Sequence, residues 1–324
     1  MRFVFLLLWL VVPFAAKAQF TFITNNGAIT ITGYTGGGTV IIPSSTNGWP
    51  VKNIGDTAFN FRGITSVTIP TSVTNIGDSA FASCHSLATV TILDGVTEIK
   101  SYAFNSCYKL TNVFLGSNVV SIGDYAFSSC STLTNLTFPN SLTNIGTWTF
   151  ADCYALSTLI IPDSVASIGA SAFVSCDHVT NLVVGSGLKN LGNLAFGCTK
   201  ANTIFFKGNL PTTAGINEFP GVNTNTPVYY LAGTTGWTST FGGLQTVLWN
   251  PQAQTGDGSF GVRSNQFGFN VTGATNIPIV VEACTNFGGN WTALQSLSLT
   301  NGTFYFTDSQ WANFPSRFYR FRSP

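Results

Sequence analysis

Charge is what this chain has least of. Asp, Glu, Lys and Arg make up 8% of its 324 residues. No basic stripe runs along any segment, which argues against a nucleic-acid partner. Histidine is scarcer still, with His85 and His178 alone. They follow a Cys by one and two residues, and no Ser-His-Asp order, nucleotide-binding Gly loop or EF-hand loop accompanies them. This pattern offers no catalytic residue, no cofactor and no metal set, and it leaves surface loops as the plainer place for both His. Past the N-terminus no apolar run approaches the about 20 residues that a membrane-spanning helix needs.

What is present starts with a leader. Met1-Arg-Phe-Val-Phe-Leu-Leu-Leu-Trp-Leu-Val-Val places one basic residue before an apolar run, and Ala16-Lys17-Ala18 offers a small-x-small cleavage site. Residues 1–18 therefore read as a secretory signal peptide cleaved after Ala18. A membrane anchor is the alternative, but the run of roughly ten residues is too short to span. Cleavage removes Arg2 and Lys17 and takes the formal net charge from +1 to −1. The expected location is outside the cell or on its surface or envelope. The remaining polar positions are mostly Thr, Ser, Asn and Gly, which with many β-branched residues suits a β-rich extracellular chain.

The dominant feature is a beat. Ile76-Gly-Asp-Ser-Ala-Phe-Ala-Ser-Cys84 returns from Ile99, Ile122, Ile145, Ile168 and Leu191, at a spacing of 23 residues. An earlier copy begins at Ile54, 22 residues upstream. Each copy continues into L-x-x-L-x-L, as in Leu87-x-x-Val90-x-Ile92, which is the strand signature of a leucine-rich repeat. One coil has too few apolar residues for a core, so coils must stack and bury equivalent positions over each other. Strands about 4.8 Å apart give eight rungs a parallel sheet roughly 35–40 Å wide. The expected fold is mainly β: a leucine-rich-repeat solenoid with a parallel sheet and short turns or 3-10 helices, then a small β-sandwich-like C-terminal domain. The expected division is a signal at 1–18, a cap with a degenerate repeat at 19–53, repeats at 54–212, a C-terminal cap at 213–250, a linker at 251–258 and the β domain at 259–324. The beat is expected to break after Phe206.

The wording Ile-Gly-Asp-x-Ala-Phe-x-x-Cys-x-x-Leu-x-x-Val-x-Ile-Pro, with the opening Gly38-Thr-Val-Ile-Ile-Pro43, resembles the BspA-type leucine-rich repeat family. The resemblance covers about residues 28 to 215. It implies a secreted or surface protein with an adhesive role, and it brings no catalytic residues with it.

Five Cys ride the beat (Cys84, Cys107, Cys130, Cys153, Cys176) and Cys198 follows one residue early. Neighbours about 5 Å apart are within bridging range, yet stacked side chains point in parallel. A buried thiol ladder and a set of bridges both remain open. Asp56, Asp78 and Asp124 share one phase, which reads as a capped or solvated turn or, less plainly, as a cation column. Arg317, Arg320 and Arg322 suit either edge-strand solubility or a docking signal.

Binding is expected on the outward columns of the strand. There stand Thr91, Asn112, Phe114, Asn135, Thr137, Thr158, Ile160, Asn181, Val183 and Phe205. A Thr/Asn sheet with exposed Phe, Ile and Val could hold an unknown protein or glycan ligand. The competing readings are a passive envelope protein without a ligand and, third, a hydrolase.

Overall fold

The computed structural model describes residues 20–197, 200–275, 277–286 and 289–323. The signal segment and Cys198 lie outside them. The repeats stack as a solenoid, and three backbone ladders run along it.

The back ladder is made of two-residue strands such as Ser121–Ile122, Asn144–Ile145 and Ser167–Ile168, parallel and in register. They belong to one 11-stranded sheet that opens with the hairpin Phe20–Asn25 and Ala28–Tyr34. Glycine follows the Ile or Leu in every coil but that of Ile99-Lys100, and the coils approach closely there. A Cβ added to Gly169 would sit 2.5 Å from the backbone of Gly146 and Thr147.

The second ladder runs through the turn. The N–H groups of Tyr102, Phe104 and Ser106 donate to the carbonyls of Asp124, Ala126 and Ser128 at 2.7–2.8 Å. Alternate residues must face the next coil, so the first and last take left-handed backbone, as Tyr102 (φ 59°) and Ser106 (φ 58°) do. A helix would aim these groups along its own axis instead. The segments are accordingly turns, and the one 3-10 helix among the described residues is Trp311–Asn313 in the tail.

Side chains fill the coil between ladders. Phe59, Phe81, Phe104, Phe127, Phe150, Phe173 and Phe196 are fully buried. They stack face to face, with centroids 4.7 Å apart at the first pair and 5.9 Å at the last. Beside them Cys84, Cys107, Cys130, Cys153 and Cys176 are free and buried. Each thiol donates to the carbonyl of the Phe one coil earlier at 3.1–3.3 Å, from Cys84 to Phe59 through Cys176 to Phe150. The ladder reading of the Cys is the one this geometry carries. A small apolar side chain with a weak donor satisfies that carbonyl without a bridge.

The third ladder, at the front, departs from the expected single sheet. Gly38–Ile41, Ile64–Ile69, Thr89–Ile92, Asn112–Phe114 and Asn135–Thr137 form a parallel sheet of five strands. A second front sheet starts at Thr158–Ile161 and continues through Asn181–Val184, Thr203–Phe206, Val228–Leu231 and Leu244–Trp249. Phe138 stands where neighbouring coils have Ile92, Leu115 and Ile161. Its ring lies edge-on to Phe150 at 5.5 Å and Phe173 at 6.5 Å. The ring thus reaches under the following coils at the rung where the front pairing stops, whereas Phe206, at the same repeat position, lies in a strand paired on both sides.

The rhythm also outlasts Phe206, where it was expected to break. Thr213–Ala214 pairs in register with Asn190–Leu191, and Phe219 stacks on Phe196 at 5.9 Å. Trp237 and Phe241 then meet Phe206 edge-on and close the end of the core.

The tail consists of two small antiparallel sheets, one around Gln266–Thr272 and one around Pro278–Cys284. Its core residues Phe269, Val271, Ile279, Val281 and Phe306 share a cluster with Val183, Phe205 and Tyr229 of the second front sheet. The Trp249 indole donates to the Pro278 carbonyl at 2.6 Å. The C-terminal domain therefore lies on the front of the last coils. Arg320 and Arg322 pair with Glu282 at 2.6 and 2.7 Å, and Arg317 with Asp308 at 2.5 Å. These pairs spend the arginine cluster within the domain. Burial alone would raise the Glu282 carboxyl, but the hydrogen bonds from Arg322 and Arg320 hold it below the ordinary range.

Candidate functional site

The strands bring most of the expected columns together and divide them at the split. Thr91, Phe114 and Thr137 line up across the first front sheet, and Asn112 pairs with Asn135. Asn135 donates its amide to the Asn112 side-chain oxygen at 2.7 Å, and Asn112 donates to the Thr111 hydroxyl at 2.8 Å. These amides form a short surface ladder whose last member stands at the opening. Phe114 is 56% exposed, although it lies mid-sheet.

Across the opening stand Thr158 and Ile160, the latter also 56% exposed. Asn181, Val183 and Phe205 continue those columns. Val183 and Phe205 correct the expectation of an outward face. They are 1% and 0% exposed because the C-terminal domain covers them. Asn181 is half-buried, and its side-chain oxygen has no hydrogen-bond partner. The open part of the columns is thus the front of the middle coils.

A cavity of about 390 Å³ sits in the split, lined by Asn135, Leu136, Thr137, Thr158 and Ile160, with Asp163 and Lys207 at one end. A second hollow of about 490 Å³ lies beside it, against Phe114, Asn135, Thr137 and Asp94. Both volumes fall in the range of small-ligand clefts, about 300–1,000 Å³. Leu136 is half-buried, whereas Val113 and Leu159, its equivalents on either side, are buried. The cleft is uncharged along its strands and offers amides, hydroxyls and aliphatic surface. It can make hydrogen bonds and apolar contacts along its strands, with a carboxylate and an amine at one end.

The aspartates of the repeats already have a task. Asp56 accepts from the N–H of Asp78, Asp78 from Ser101, and Asp124 from Thr147, at 2.7–3.0 Å. Asp94 does the same for Ser117 at 2.7 Å. These bonds fit the capping reading of the column. Among the described residues no group of three or more His, Cys, Asp or Glu could hold a metal ion. His85 stacks on Tyr108 at 5.1 Å, and His178 Nδ1 lies 2.6 Å from the Tyr154 carbonyl.

One surface escaped the sequence reading. Tyr102, Tyr125 and Trp148 each stand three residues after the Ile of the repeat on three successive coils and stack on the turn face at 4.8 and 6.0 Å. Their shared phase was visible in the repeats. The column was hidden because the reading looked for ligand contacts on strands alone. Phe138 was equally visible as an aromatic in a column that otherwise runs Ile69, Ile92, Leu115, Ile161 and Val184 before Phe206.

A profile described as the BspA type leucine rich repeat region matches six copies, at residues 52–176 and 122–226. No curated protein matches the chain. Among solved structures, a leucine-rich repeat protein of T. pallidum is 31% identical, with a TM-score of 0.50. The match covers 55% of this chain and 84% of that one. A leucine-rich repeat protein of Bacteroides ovatus is 23% identical over 71% of this chain and 75% of its own, with a TM-score of 0.42. A leucine rich cell surface protein of Faecalibacterium prausnitzii is 24% identical over 71% and 94%, with a TM-score of 0.33.

Proposed function

The chain belongs to the BspA-type leucine-rich repeat family, and from that premise we propose that it is a secreted or cell-surface protein that binds a protein or glycan without catalysis. The ligand would lie on the front of the middle coils, over Thr91, Asn112, Phe114, Asn135, Thr137, Thr158 and Ile160. The observation that carries this reading is the division of the columns. The last coils have their apolar front residues Val183 and Phe205 covered by the chain's own tail, whereas Phe114 and Ile160 stay exposed beside open cavities. An apolar and amide-bearing surface left uncovered in a chain that covers the last coils of the same face is suited to a partner. A passive envelope protein has no need for the difference.

The test is a pull-down from surface extracts and a glycan array, using the full secreted chain and its Phe114→Ser and Ile160→Ser forms. Both changes are at exposed positions and should leave stability within about 0.5 kcal/mol. Captured partner should fall by about tenfold, the loss expected where a contact worth about 1.4 kcal/mol is removed. Unchanged capture by both variants would favour the passive reading.

A further inference from the structure

Resting on the reading of the middle coils as the ligand face, we propose that the split in the front sheet takes an extended strand of a partner protein as an additional rung, between Asn135–Thr137 and Thr158–Ile161. An open strand edge offers unpaired N–H and C=O groups to another chain. This solenoid has two such edges, parallel and facing each other across one cavity. A guest strand would pair on both sides, as Thr89–Ile92, Asn112–Phe114, Asn181–Val184 and Thr203–Phe206 do. Strand addition of this kind draws affinity from main-chain hydrogen bonds and selectivity from alternate side chains.

The opening is confined to the front. At the same level the back strands stay in register, Ile145 against Ile168. The turn ladder is also intact, with the Phe127 N–H donating to Thr149 and that of Phe150 to Ala172, each at 2.8 Å. The two edges are therefore held at the mouth of a wedge with a fixed hinge, with the Phe138 ring lying under the following coils, and on this proposal the ring is what holds the wedge open.

The lining states what the guest must carry. Leu136 is half-buried and lacks the cover its equivalents have, so the inward side chain of the guest should be aliphatic. The outward columns on either side hold Asn135, Thr137 and Thr158, so the outward side chains should be small and polar. Lys207 lines the end of the cavity that follows the strands, and it belongs to none of the ion pairs among the described residues. A carboxylate one or two residues past the guest strand would meet it. The chain's own rung Thr89–Ile92, followed by Leu93 and Asp94, has this wording.

The probe is an acetylated, amidated peptide copying residues 87–94, Leu-Ala-Thr-Val-Thr-Ile-Leu-Asp. Its control carries N-methyl groups on the Val and the second Leu. Hydrogen exchange is read on the full secreted chain. In the free protein the amides of 157–161 should exchange about tenfold faster than those of 180–184, which lie between two paired neighbours. The peptide should slow 157–161 and the N-methylated control should not. Phe138→Ile, or Phe138→Leu if the first form folds poorly, should join the two sheets, slow 157–161 without peptide and weaken peptide binding about tenfold. Equal exchange at 157–161 and 180–184 in the free chain would overturn the proposal. So would protection by the N-methylated control, or no protection by the peptide at about 1 mM, beyond which strand pairing carries little affinity. The partner pull-down separates the two readings. If Phe114→Ser and Ile160→Ser lose the partner and Phe138→Ile keeps it, the ligand face stands and strand insertion fails. If all three keep it, both fail.

Discussion

At the scale of single residues, the cysteines show how a repeat solves a local problem. The turn leaves one Phe carbonyl per coil inside the core, and an unsatisfied buried acceptor costs about 1–3 kcal/mol. A thiol is small enough to fit and can donate to it. Burial raises the Cys84 thiol from 9.0 to about 11 and that of Cys130 to about 12. For Cys84 the hydrogen bond from the Arg62 backbone and the Arg62 charge offset part of that rise. The sign of the linkage follows. These thiols stay neutral in the fold while the unfolded chain ionises, so their stabilisation is whole below pH 9.0 and is lost as the pH rises through about 11 for Cys84. The melting temperature should therefore fall steeply from pH 9 upward. Each fully titrating thiol contributes a slope of about 1.4 kcal/mol per pH unit. Cys84→Ala should flatten the curve in that window, and melts recorded across it would show whether it does.

At the scale of the element, the Phe stack carries the core. Phe127 lies between Phe104 at 5.1 Å and Phe150 at 5.3 Å, and it is fully buried. Phe127→Ala should cost about 3–5 kcal/mol, because the cavity opens between two fixed coils that cannot collapse into it. Calorimetric or denaturant melts of the variant would measure this, and an unchanged midpoint would contradict the stacking. The columns of Phe, Ile, Val and Cys were readable from the beat because identical spacing makes identical environments. The split at Phe138 was harder to read. Its residue type fits an apolar column, and the direction of its ring into the next coils is set only by packing.

At the scale of the whole molecule, the tail works as a cover. Val183, Phe205 and Tyr229 are buried beneath it and share its core. Val183→Asp would place an unpaired charge in that interface, where burial is costly. The expected result is release of the tail with the repeats still folded. Protease cleavage within residues 251–258 should then rise by about tenfold or more, since cutting follows the population of the open form. A cleavage rate equal to that of the parent chain would show that the tail does not depend on this contact.

The sequence by itself determined the solenoid, its period, its buried positions and the strand register. A strict 23-residue repeat admits one way of placing like residues over like. It also determined the alternating strands of the tail, since hydrophobic period two is a local property. Only the tertiary structure decided which part of the front face is open. Val183 and Phe114 occupy the same repeat position and read alike. One is buried because a domain whose residues in the shared core begin at Phe269, 86 positions later in the chain, folds back on it. The other stays exposed beside a cleft because no later segment folds over it, at the place where the front sheet is interrupted. Contacts between distant segments carry no signature in a repeat, so the difference between a covered rung and an open one appears only when the coils and the tail are packed together.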